Sequence, residues 1–199
     1  QPARHGDSTW TTMDVVAHGL WAAVMCRWCG RRQPIKRSTA TWTMALAVAP
    51  DLVQLMPIVT AALTTPQGWS VMQTYFHALP RYEPVLPPTV ELMAHNLHCV
   101  MHSALVAALV TLLSWMFLRR LWLPLLGWWM HIVIDVFTHS ADFYPSPVLY
   151  PVTQRGFDGW AWNDPWQLAL NYGLIAIFWI ITRSETKLAT RGPTDSHHN

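Results

Sequence analysis

Residues 101–118 read MHSALVAALVTLLSWMFL, a run of eighteen positions without a charged side chain. At a helical rise of about 1.5 Å per residue, this run alone covers most of a hydrocarbon core of roughly 30 Å. The pattern recurs on either side. Between Ser38 and Pro80 the only charged residue is Asp51, and Pro165 to Thr182 carries none. These runs predict helices over about 13–26, 38–63, 91–118, 121–138 and 165–183. The expected fold class is all-α: a polytopic membrane helix bundle of about five transmembrane or partly inserted helices. The stretch 13–26 is short for a crossing. Its basic cluster follows the apolar residues, the reverse of a signal peptide.

Composition agrees. Of 199 residues, 52% are hydrophobic and only 12% charged, against roughly 25% charged in an average soluble domain. That deficit excludes a disordered chain, a nucleic-acid-binding surface and an ordinary solvated globule. A net charge of +2 names no partner. The basic residues do name an orientation. Arg27, Arg31, Arg32, Lys36, Arg37, Arg119, Arg120, Arg183, Lys187 and Arg191 fall on one side of the layout, and Arg4, Arg81 and Arg155 on the other. Positive charge gathers inside, so the N-terminus is expected outside and the C-terminus in the cytoplasm. Trp69, Trp160, Trp162 and Trp166 would then mark the outer interface, and Trp28 and Trp122 the inner one.

Two outer loops, about 64–90 and 139–164, are rich in proline and aromatics, which resist regular structure. They include Pro80, Tyr82, Pro84, Pro87 and Pro88, and later Pro145, Pro147 and Pro151. They would form a lid over the helices or a packing surface for a partner. Pro124 is expected to kink the fourth helix, and Gly127 and Gly173 to allow close helix contact. Residues 184–199 read as a polar cytoplasmic tail, in which His197 and His198 carry no weight.

Ionisable groups inside apolar spans are costly and face the bundle interior, so function is sought there. His95, His98 and His102 share one helical face, as do His131, Asp135 and His139, and likewise Asp14 and His18. Asp51 directly follows Pro50. In this topology His18, Asp51, His98, His102, His131 and Asp135 converge on the outer half of the bilayer. Imidazole with carboxylate and no thiolate is a ligand set for zinc and other borderline divalent metals. A bound cation would neutralise carboxylates that lipid makes expensive. Two other readings stay open: the cluster as polar glue between helices, and a haem or pigment site with an axial histidine. His95 and His139 sit near the interface, where solvation or a hydrogen bond is the alternative to a site role; His77 lies in a loop, and Asp14 suits a helix N-terminus. Cys26 and Cys29 form a lone CxxC, a weak metal or thiol signal, with Cys99 apart from it.

Four elements occur in an order that resembles the bacterial membrane-bound metal-dependent hydrolases of the inner membrane. They are Met13-Asp14-Val15-Val16-Ala17-His18, then Pro50-Asp51-Leu52, then His98-Cys99-Val100-Met101-His102-Ser103. The fourth is Gly127-Trp128-Trp129-Met130-His131-Ile132-Val133-Ile134-Asp135-Val136-Phe137-Thr138-His139-Ser140. The last looks like the family's Gly-x-x-x-His-x-x-x-Asp-x-x-Thr element. The third lacks the family's Arg-Gly between its histidines and is one residue shorter. The resemblance implies a single membrane domain over 13–183, with residues 1–12 as an extension, in a bacterial inner membrane.

Two functions follow as expectations. One is a metal-dependent hydrolase, with zinc or manganese held by Asp51, His98, His102, His131 and Asp135 or a subset. Asp135 or His18 would act as general base, and a lipid or lipid-linked ester or phosphoester would be the substrate. The other is a non-catalytic accessory subunit of a respiratory or photosynthetic complex that keeps the fold. Its partners would be membrane lipids and other membrane subunits.

Overall fold

A computed structural model describes residues 15–77, 84–141, 145–162 and 164–190, with side chains as far as Arg183. The expectations for the 1–12 extension, Met13, Asp14, Pro80, Arg81, Tyr82 and residues 191–199 lie outside the described residues. So do those for the side chains of 184–190.

Among the described residues the chain is all-helical. It has α1 (Val15–Gly30), α2 (Arg37–Thr64), α3 (Gly68–Phe76), α4 (Pro88–Met101), α5 (Ala104–Leu118), α6 (Leu125–Thr138) and α7 (Pro165–Thr190). Helix α2 is the axis: α1, α3, α4 and α6 all pack on it, while α7 lies against α1. Its 28 residues and apolar content suffice for a membrane crossing, as do residues 165–183 of α7. The pair α4–α5 passes the same test as one span bent by 57°. Helices α1 and α6 have 16 and 14 residues. At 1.5 Å per residue that is about 24 and 21 Å, short of a full crossing. Two or three helices therefore have the length and apolarity of spans.

The single helix expected over 91–118 is broken at His102–Ser103. The apolar run hides the break, because neither proline nor glycine marks it. Ser103 Oγ accepts from the Val106 N–H and starts a new helix. The groups opened at the break find partners elsewhere. Ala104 N–H donates to the Val148 carbonyl (2.9 Å), Ser103 Oγ–H to the Tyr150 carbonyl (2.6 Å), and the Trp128 indole N–H to the Met101 carbonyl (2.6 Å). Broken backbone inside a bilayer is tolerated only when re-satisfied in this way.

Other expectations are revised. Pro124 does not kink α6 but stands at its N-cap, so the helix starts at Leu125 and not near 121. The first outer loop contains α3, whose Val71 and Tyr75 bury against Ile58 and Leu86. Gly127 does allow close approach: a Cβ there would stand 2.0 Å from the Thr43 carbonyl oxygen of α2. Gly173 has open space around it.

Many of the apolar side chains left outside lie on α7 and on α5, and on α5 only Ala107 is buried and Leu109, Leu112, Trp115, Met116 and Phe117 are exposed. In water so large a patch would drive association. A hydrocarbon surround removes that penalty, which is consistent with a membrane protein.

Candidate metal centre

Pro50 shapes the first wall of the site. Lacking an N–H, it leaves the Leu46 carbonyl without its helical donor and opens the turn. The next carbonyl, that of Ala47, accepts a hydrogen bond from His131 Nδ1 at 2.8 Å. On α4, His102 Nδ1 donates in the same manner to the His98 carbonyl at 2.9 Å. A carbonyl can only accept, so each of these rings carries a proton on Nδ1, and in its neutral form presents Nε2 as a lone pair.

Those two lone pairs meet. His102 Nε2 and His131 Nε2 are 3.0 Å apart. Each is 2.9 Å from Asp135 Oδ2 and 3.7 Å from Asp51 Oδ1. All four side chains are buried, with His102, His131 and Asp135 at 0% exposure, and their donor atoms lie within 4.8 Å of one another. With both imidazoles neutral, all four groups are acceptors where they converge. Neither oxygen of Asp135 has a hydrogen-bond donor aligned on it among the described residues. Buried acceptors left this way are strongly unfavourable alone. Around a tetrahedral ion with bonds of roughly 2.1 Å, ligand atoms stand about 3.4 Å apart, which falls inside the 2.9–3.7 Å spacing found here. The donor set therefore fits a divalent metal, while its identity is not fixed by nitrogen and oxygen ligands alone.

The other oxygens face a second group of rings. His18 Nε2 is 3.1 Å from Asp135 Oδ1 and 3.8 Å from Asp51 Oδ2, and His139 Nε2 is 3.7 Å from Asp135 Oδ1. The His18 ring lies over that of His131, with centroids 4.0 Å apart. Against His18, Asp51, Asp135 and His139 is a void of about 20 Å³, walled on its far side by Trp162, Gln167 and Asn171. A space of that size holds one water.

The sequence-based candidates thus divide. Asp51, His102, His131 and Asp135 come together, with His18 beside them. His98 does not join the four donors. Its Nδ1 lies 3.0 Å from the Gln54 side-chain amide and its Nε2 3.3 Å from the Pro145 carbonyl, with the ring stacked on His102 at 4.0 Å. With the Gln54 amide turned to donate to Nδ1, His98 Nε2–H donates to Pro145, and both ring nitrogens are satisfied. Its place is therefore behind His102.

Three further placements differ from the sequence reading. His139, for which solvation or a hydrogen bond near the interface was an open alternative, is 5% exposed and faces Asp135; its i+4 spacing from Asp135 carried that signal. Trp162, assigned to the interface, is buried over the void because Gly159 N–H and Trp160 N–H bond to the His139 and Phe137 carbonyls. Gln54, fully buried, was passed over as an uncharged residue, though it lies one turn from Asp51. His95 stands outside the cluster, its Nε2 3.5 Å from Cys99 Sγ.

No protein-family model, curated protein or solved structure matches this chain.

Proposed function

We propose that this chain is a membrane-embedded metal-dependent hydrolase, related to the inner-membrane hydrolases that its four motifs resemble. Asp51, His102, His131 and Asp135 would hold zinc or manganese in the outer half of the bilayer. The observation that carries this reading is the pair of Nε2 lone pairs, fixed by backbone carbonyls and turned onto two buried carboxylates. A divalent cation there, when bound, supplies Lewis acidity toward a phosphoryl or carbonyl oxygen.

The chain's own residues do the rest. Asp135 and His18 form a carboxylate–imidazole pair at the void, where a single water has a proton acceptor within reach. Trp162 and the 158–162 segment cover that water and limit what reaches it. Ester and phosphoester hydrolysis is the reaction class this supports. Lipid or lipid-linked substrates fit a site at headgroup depth.

A second reading rests on the size of the void. At about 20 Å³ it admits a water but no substrate, which suits an accessory subunit that keeps a sealed centre. One experiment separates the two. The full chain, purified in mild detergent, is analysed for bound metal and then assayed on phosphodiester and carboxylester lipids beside Asp135→Asn. Metal retention with turnover, both lost in the variant, supports the hydrolase. Metal without turnover of any ester favours the subunit, and absence of metal overturns the centre itself.

A further inference from the structure

Each carboxylate of the centre offers its two oxygens in opposite directions. Asp135 Oδ2 and Asp51 Oδ1 face His102 and His131, whereas Asp135 Oδ1 and Asp51 Oδ2 face His18, and Asp135 Oδ1 also faces His139. The rings of His18 and His131, tilted by 38° with centroids 4.0 Å apart, keep the two histidine sets side by side. Paired metal ions bridged by ligands stand about 3.5–4 Å apart. The void lies on the His18–His139 side, against both carboxylates.

We infer that the centre is binuclear: a second divalent cation sits at the void, held by His18, His139, Asp135 Oδ1 and Asp51 Oδ2, with both aspartates bridging. The inference rests on the metal reading above and extends it. Three features support it together. Two more imidazoles than one tetrahedral ion needs are buried around the same carboxylates. Every carboxylate oxygen of the two aspartates has an imidazole nitrogen within 3.8 Å. The polar space beside the first ligand set is large enough for a small ion or a water and is bordered by nitrogen and oxygen donors. In this arrangement His18 Nε2 is a ligand and no longer the proton acceptor proposed for the one-metal centre. The remaining side of the second position, toward Gln167 and Asn171, is where a water or a substrate oxygen would enter.

The test uses full-length protein in lipid nanodiscs, loaded with Mn²⁺, dialysed and analysed for metal per chain. The binuclear centre gives two ions, falling to one in His18→Asn, His139→Asn. Electron paramagnetic resonance of the wild-type protein provides a readout that needs no variant. Two bridged Mn²⁺ ions give an exchange-coupled spectrum, and an isolated ion gives a simple six-line pattern. One ion per chain with a six-line spectrum, unchanged by the double substitution, overturns the second position and leaves the first intact. No bound ion in the wild type overturns the metal reading as a whole.

Discussion

At the scale of single residues, two histidines one helical turn apart have different work. His98 and His102 share a face of α4, but only His102 turns Nε2 onto the carboxylates, while His98 is engaged by Gln54 and Pro145. His102→Ala should therefore abolish metal retention and His98→Ala should keep it, as read by elemental analysis of the purified variants. Gln54→Leu removes a buried partner of His98 and should lower stability by about 1–3 kcal/mol. A thermal melt in detergent would register that loss, with metal content unchanged. The periodicity of His and Asp was enough to bring Asp51, His102, His131 and Asp135 together on paper. What it could not supply was tautomer. The carbonyls of Ala47 and His98 decide which nitrogen is bare, and a carbonyl leaves no mark in a sequence. Gln54 was invisible for a related reason, since an amide in an apolar helix has no charge to draw attention.

Elements were legible where an apolar run ends on proline or charge, as at Pro165 or around Lys36, and illegible where a break is made by tertiary contacts. Nothing between His95 and Leu118 signals a bend, because the Ser103 cap works only once Val148 and Tyr150 arrive to take up its neighbours. The α2–α6 contact is the element-level joint on which the centre depends: α2 brings Asp51 and the Ala47 carbonyl, and α6 brings His131 and Asp135. Gly127 sits in that joint, with no room for a Cβ beside the Thr43 carbonyl. Gly127→Ala should force the helices apart, lowering stability by roughly 1–3 kcal/mol and loosening the bound metal together with it. Parallel melting and metal-dissociation measurements would show the two losses moving as one. Gly173→Ala, in open space, should leave both unchanged.

For the molecule as a whole, the division of charge predicts an orientation that one exposed thiol can test. Cys29 is exposed at the end of α1, next to the basic turn, while Cys99 is buried and Cys26 half-buried. A membrane-impermeant maleimide should label Cys29 only after sealed cells are opened; labelling of intact cells would reverse the assigned sides. The apolar surface of α5 should likewise keep the chain in the pellet after an alkaline carbonate wash. The bend between α4 and α5 has a bearing on biogenesis. Its acceptors are carbonyls of residues 148 and 150, made some forty-five positions after Ser103. Before that segment is made, the Ala104 N–H and the Ser103 hydroxyl lack the acceptors that take them up at the bend. The bend gains those acceptors only when the downstream segment docks, so the setting of His102 beside Asp51 and Asp135 is expected late in folding.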